Sequence, residues 1–369
     1  MSSAALEAIP LTLIALAATA VASFLITPLV IRFAPRMRAM DQPDDSRRVH
    51  REPVPRTGGL AVAAAFLGVG VLGLVINEVF HFVPPLRLVR GPQVTALFVG
   101  LAAGAVLGYL DDRFQLRARW QLLGQLALAG IAIAAGILIE NMVNPLGGGA
   151  LRFEGGAAMV VTTLWVVGMI NSVNFVDGLD GLSTGIALVA ATTLGIISLV
   201  VPPIQPAVAV LCALLAGSLL GFLPYNFHPA RVFIGTAGVF VVGYALAVLS
   251  VLGTAKVTVA LLVLGVPIID TFWIIVRRLA ARRSPFSADR GHFHHRLLDL
   301  GLTHRGAVLL IYGLCAVLAV LSLLLASARD GARGQLSAFL IIVVGGGLVL
   351  YLITRRSDDV LDPTSYPDE

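Results

Sequence analysis

The chain has 369 residues, 57% of them hydrophobic and only 13% charged, with a mean hydropathy of +0.91. That balance excludes a soluble globular domain, and a net charge of +5 on so apolar a chain is not a nucleic-acid signal. Cys212 and Cys315, the two cysteines, both fall in apolar runs, which excludes a disulfide framework and a cysteine metal site.

A bilayer span needs about 20 apolar residues. Such runs recur almost from end to end. They predict about eleven transmembrane helices, near 9–31, 58–80, 94–110, 120–139, 158–174, 181–201, 206–224, 236–252, 257–276, 307–326 and 336–353. The predicted fold class is an all-α polytopic integral membrane protein. One transmembrane domain covers 1–356, and an acidic tail, 357–369, is too polar to fold. The first run has Glu7 and no Lys or Arg before it, so it is expected to stay as a span and not to be cleaved as a signal peptide. Of the 26 basic residues, 20 lie on one set of alternate loops and span ends. The other six are Arg87, Arg90, Arg152, Lys256, Arg329 and Arg333. The positive-inside rule then puts the rich side in the cytoplasm, the N-terminus outside and the C-terminus inside.

Along the chain, the chemistry-bearing groups collect on that basic side. The first loop, 32–57, holds His50 and Arg56. Asp111 and Asp112 close the third span. Adjacent carboxylates repel, and near a low-dielectric boundary they need a cation or split their proton affinities. The plain alternative is a solvated helix end, which the helix dipole disfavours for acids. Arg119 and Gln125 follow at the start of the fourth span, placed to face the same cleft.

Next comes Asn171-Ser-Val-Asn-Phe-Val-Asp-Gly-Leu-Asp-Gly-Leu182, between two spans. Asn171, Asn174 and Asp177 are spaced i, i+3, i+6 and form one strip on a helix, with Asp180 three residues further. A charge at mid-bilayer costs roughly 2.5–3.5 kcal/mol by insertion scales, so acids beside spans point to function. The strip suits a metal–diphosphate, a nucleobase or an arginine; the plain alternative is that Asp177 or Asp180 caps the next helix. Asp270, inside a later span, reads as structurally paired. Asp289-Arg-Gly-His-Phe-His-His-Arg296 gathers His292, His294 and His295 between Arg290 and Arg296. The flanking arginines repel a divalent cation and attract a diphosphate, so the cluster favours an anionic substrate over zinc. His81, His228 and His304 read as lone, incidental histidines.

Together these segments resemble the polyprenyl-phosphate N-acetylhexosamine-1-phosphate transferase family. The matching stretches are Arg47-Arg-Val-His50 to Gly59, Gly108-Tyr-Leu-Asp-Asp112, 171–182, 226–238, and Pro267-Ile-Ile-Asp-Thr271 to Gly301. The resemblance implies transfer of a sugar 1-phosphate from a UDP-sugar to a membrane polyprenyl (undecaprenyl) phosphate, with release of UMP. Such products are the first lipid-linked intermediates of envelope polymers such as lipopolysaccharide or teichoic acid. The Asp-Arg-x-His-x-His-His-Arg-Leu form resembles the branch using UDP-N-acetylglucosamine more than the one using UDP-MurNAc-pentapeptide. The resemblance further implies a magnesium requirement (manganese as the alternative), a bacterial inner-membrane location with a cytoplasmic site, and room for a homodimer. It assigns Asp111 to activating the lipid phosphate and Asp112 to supporting magnesium. Asn171, Asn174, Asp177, Asp180 and Asn226 are assigned to substrate, with Asp177 and Asp180 also on the metal. Arg290, His292, His294 and His295 hold the sugar-phosphate side.

One departure stands out. The family segment usually reads Phe-x-Gly-Asp-x-Gly-Ser, whereas this chain reads Phe233-Ile-Gly-Thr-Ala-Gly-Val239. Thr236 stands where the family has a magnesium-associated aspartate, and a neutral hydroxyl is a poorer ligand for a hard dication. This raises a second expectation, a low-activity or non-catalytic paralogue. A transporter is the rival from another class; it predicts polar groups in both halves of the bilayer, whereas here they lie on one side.

Overall fold

The computed structural model describes residues 3–41, 53–80, 91–144, 150–253 and 297–326, with isolated positions between 260 and 265 and between 334 and 345. Nine helices account for nearly all of this: α1 (Ser3–Met37), α2 (Gly58–Phe80), α3 (Gly91–Phe114), α4 (Ala118–Ala134), α5 (Gly156–Val176), α6 (Leu182–Val200), α7 (Pro206–Asn226), α8 (Gly235–Leu252) and α9 (His304–Ala326). Two short antiparallel pairs join them: β1 (Met40–Asp41) with β2 (Val54–Pro55), and β3 (Asn141–Val143) with β4 (Ala150–Arg152). Eight of these helices are long and apolar enough to cross a membrane; α4, with 17 residues, is shorter. The protein is therefore a helical, multi-pass membrane protein. The predicted spans 257–276 and 336–353 fall largely, and the tail wholly, outside the described residues, so the expected total of eleven is not established.

The helices end where the sequence stops supporting them. Pro206 opens α7 at a position that needs no N–H. Gly178 follows the last turn of α5, and Gly181, with φ of +80°, precedes α6 in the left-handed region that suits glycine. α1 has 35 residues and is about 50 Å long, against a hydrocarbon layer of about 30 Å. Its surplus carries Arg32 and Arg36 past the apolar zone.

α8 is the axle of the bundle. Its sequence is apolar all round, and it is buried along nearly its whole length between α2, α3 and α5. α7 is nearly as enclosed, against α1 and α6, while most side chains of α1 and α9 are not buried. Most polar side chains buried among the described residues find partners, Ser23 Oγ and Thr57 Oγ1 excepted. Tyr244 donates to the Ala96 carbonyl at 2.9 Å, and Trp165 Nε1 bonds Ser250 Oγ at 3.1 Å. The ends of α1, α3, α5 and α7 and the starts of α2, α4, α6, α8 and α9 converge at one end of the bundle. Every sequence-predicted site residue among those described lies at that end.

Candidate active site

Asp111 and Asp112, on the last turn of α3, are 7% and 5% exposed. The C-terminal dipole of their own helix opposes them. The N-terminus of α8 offsets it. Thr236 N donates to Asp112 Oδ1 at 2.9 Å and Ala237 N to Oδ2 at 3.0 Å, so two otherwise orphaned helix N–H groups meet a carboxylate. Thr236 Oγ1 donates to Asp111 Oδ2 at 2.8 Å, while Leu116 N and Gln121 Nε2 donate to Oδ1 at 3.0 and 2.9 Å.

Glycines allow this convergence. A Cβ on Gly108 would lie 2.3 Å from Ala237 Cα, and one on Gly59 would lie 1.9 Å from Gly238 N. Gly235 has φ of +67°, and a Cβ there would meet the Arg56 carbonyl at 1.9 Å. The 55–59 and 233–234 segments are zipped together: Phe233 N donates to Pro55 O at 2.8 Å, Gly58 N to Phe233 O at 3.0 Å, and Gly59 N to Ile234 O at 2.7 Å. That zipper brings Arg56 to 3.6 Å from Asp112 and 3.7 Å from Asp41. Sequence reasoning left Arg56 as one basic residue among many; its flanking Pro55 and Gly58-Gly59 were the available signal.

The predicted strip divides. Asn171 Nδ2 donates to Gln125 Oε1 and to Val167 O, both at 2.8 Å, and so ties α5 to α4. Asn174 is exposed. Asp177 lies just beyond α5, half-buried, and accepts from Ser183 Oγ at 2.7 Å. Burial pushes its carboxyl up to about 6; the Ser183 bond and the Arg56 charge hold it down, and Asp180 pushes it further up. Arg56 thus stands against Asp112, and its charge is also felt at Asp177. Neither acid of the turn caps α6 through its side chain. Asn226 is 2% exposed; its Oδ1 accepts from Thr184 Oγ1 at 2.6 Å and its Nδ2 donates to Val232 O at 3.0 Å. Its amide braces the loop leading into α8. Arg119 is exposed, over the Trp120 ring.

His228 and His304 are not the lone histidines expected. His228 Nδ1 is 2.7 Å from Asp180 Oδ2, which also accepts from Ala230 N at 3.1 Å. His304 Nε2 accepts from Asp180 N at 3.0 Å, and the two rings stack at 4.1 Å. Asp180, His228 and His304 place three potential ligand atoms within 4.8 Å of one another, the one such cluster among the described residues. The end of α7 and the start of α9 supply the histidines, and no sequence spacing announces a meeting between separate helices. His50, His81, Asp270, Arg290, His292, His294 and His295 lie outside the described residues.

The profile of glycosyl transferase family 4 matches residues 94–254. A probable undecaprenyl-phosphate N-acetylglucosaminyl 1-phosphate transferase of Bacillus subtilis is 36% identical over 87% of this chain and 85% of its own length. A decaprenyl-phosphate N-acetylglucosaminephosphotransferase of Mycobacterium tuberculosis is 35% identical over 96% of this chain and 91% of its own. A phospho-N-acetylmuramoyl-pentapeptide-transferase of Desulforudis audaxviator is 32% identical over 84% of this chain and 95% of its own.

Proposed function

The chain belongs to glycosyl transferase family 4, and from that premise we propose that it transfers N-acetylglucosamine 1-phosphate from a UDP-sugar to a membrane polyprenyl phosphate, releasing UMP. The observation that carries the reading is the pair Asp111–Asp112 held by the N-terminus of α8, with Arg56 beside Asp112. N-acetylglucosamine is favoured over the muramoyl-pentapeptide because the relatives named for it are the more identical ones quoted.

An oxygen of the lipid phosphate attacks the β-phosphorus of the donor. The bond from that phosphorus to the bridging oxygen breaks, and UMP leaves with the bridging oxygen. The nucleophile is anionic near neutral pH, since a phosphate monoester loses its second proton near about 6. The difficulty is bringing like charges together, so positioning and charge compensation do most of the work. Arg56 supplies a fixed positive charge at the mouth of the acidic centre. We read Asp111 as the acceptor of a residual proton from the lipid phosphate. Asn174, exposed beside the 177–181 turn, is free to hydrogen-bond the donor. Gln125 and Asn226 hold the walls through Asn171 and Val232.

The donor set fits magnesium. Asp112 already faces a cation in Arg56, and each hydrogen-bonded carboxylate oxygen of Asp112 and Asp177 accepts one hydrogen bond, which leaves lone pairs for a hard ion. When bound there, magnesium would supply electrostatic stabilisation of the diphosphate charge. Thr236 and Asp180 fit less well: the Thr236 hydroxyl is turned to Asp111, and Asp180 Oδ2 already serves His228 and Ala230. We therefore read Thr236 as weakening metal binding without removing it. Among the described residues the site end carries Arg32, Arg36, Arg38, Arg56, Arg113, Arg117, Arg119, Arg231 and Arg305, against Arg152 at the other end, which supports a cytoplasmic site in a bacterial inner membrane.

The test is a transfer assay in detergent with radiolabelled UDP-sugars and polyprenyl phosphate. UDP-N-acetylglucosamine is expected to give a labelled lipid and stoichiometric UMP. Nucleotide binding without UMP release from any donor would leave the chain as a non-catalytic relative.

A further inference from the structure

The contacts around Asp180 join elements that the reaction chemistry alone does not explain. The start of α9 holds two neighbouring backbone groups of the 177–181 turn: His304 Nε2 accepts the Asp180 N–H at 3.0 Å, and the Tyr312 hydroxyl donates to the Gly181 carbonyl. Gly185 makes room for Tyr312, since a Cβ there would lie 1.9 Å from the ring. From the other side, the Asp180 carboxylate takes His228 and Ala230 N. Arg305 Nε closes the circuit on the His228 carbonyl at 3.0 Å. The 228–230 segment runs directly into Phe233 and Thr236, the stretch that holds Asp112.

A metal at these three side chains is the competing reading, and the ring geometry opposes it. The imidazoles stack with only 15° between their planes, so their in-plane lone pairs run side by side and do not converge. His304 Nε2 is also already spent on a backbone donor, which requires that nitrogen to be unprotonated and not ligating.

We propose that His304 and Tyr312 are positioning residues for the transfer reaction. By gripping the backbone of the 177–181 turn, α9 sets where Asp177 stands, and through Asp180 and His228 it ties that turn to the segment holding Asp112. The assignment of a reaction step to these residues rests on the transferase reading; the grip itself does not. A misplacement of about 1 Å at such a site costs on the order of a hundredfold in rate.

The experiment uses the full chain in detergent, with His304→Ala, His304→Gln and Tyr312→Phe compared by transfer kinetics, melting temperature and hydrogen exchange. His304→Ala is expected to lower kcat/KM for the donor about tenfold to a hundredfold. Most of that loss should lie in kcat, with faster exchange confined to the 177–181 peptide. Tyr312→Phe should do the same more weakly. His304→Gln, whose amide oxygen can accept the same N–H, should return to within about threefold of the parent. A glutamine variant as damaged as the alanine one, with exchange unchanged, would show that the imidazole acts through its own proton or as a ligand. Stoichiometric cobalt(II) binding lost in His304→Gln would likewise overturn the proposal, as would three variants indistinguishable from the parent. A parent protein that transfers nothing would refute the transferase reading alone, and the exchange pattern would still decide the grip.

Discussion

The two acidic regions of this site are held in opposite ways. Asp112 is pinned on both oxygens by backbone N–H groups of α8, donors that no side-chain substitution at 236 or 237 other than proline can remove. The 177–181 turn is held by side chains from several elements: Ser183, His228, His304 and Tyr312. One carboxylate is fixed by the fold, while the other is tuned by exchangeable residues. Thr236 shows the contrast within one residue: its N–H holds Asp112 whatever the side chain, while its hydroxyl serves Asp111.

The largest effect should come from breaking the pinned side. Asp112→Asn keeps the shape, removes the charge and sets an amide against a helix N–H. Turnover in the transfer assay should fall by about a thousandfold, with helix content by circular dichroism unchanged. A loss of less than about tenfold would remove Asp112 from the magnesium-holding role.

A middle effect should follow from Thr236→Asp, which adds a carboxylate to the pinned side. Half-saturating magnesium should fall about tenfold, and without metal the added like charge should lower the melting temperature, with magnesium restoring it. Identical magnesium titrations of both proteins, by rate and by melting, would sink the reading of Thr236 as a weakened metal position.

The smallest effect belongs to the tuned side. Asp177 has its carboxyl raised from 3.8 to about 6 by burial. Between those values the folded protein keeps a proton that the unfolded chain has lost. Stability should therefore fall as pH rises through this window, with the full cost reached above about 6. In chelator-treated protein the melting temperature should show that slope, and Asp177→Asn should flatten it. A slope that survives the substitution would place its origin elsewhere.

Much of this was legible in the sequence because apolar runs and helix-breaking glycines are local. The run 58–80 is α2, and 206–224 lies within α7. The adjacency of Asp111 and Asp112 and the three-residue spacing of Asn171, Asn174 and Asp177 likewise survive any fold. What stayed hidden is which helix end meets which carboxylate. Asp112 and Thr236 are 124 positions apart, and periodicity reports burial without naming the partner. The strip misled for the same reason: i, i+3, i+6 predicts one shared face, but Asn171 turns to Gln125 while Asp177 lies past the helix end. Gly59, Gly108 and Gly238 were the sequence's trace of the convergence, visible only once the helices are seen to touch.

The burial of α8 has a consequence in time. The carboxylates at 111 and 112 emerge from the ribosome long before the N–H groups that complete them, at 236 and 237. A nascent chain inserted as far as α7 has its acids but no centre. The pinned half of the centre forms only when α8 takes its place among helices already made, and the grip on the 177–181 turn waits for α9 after it.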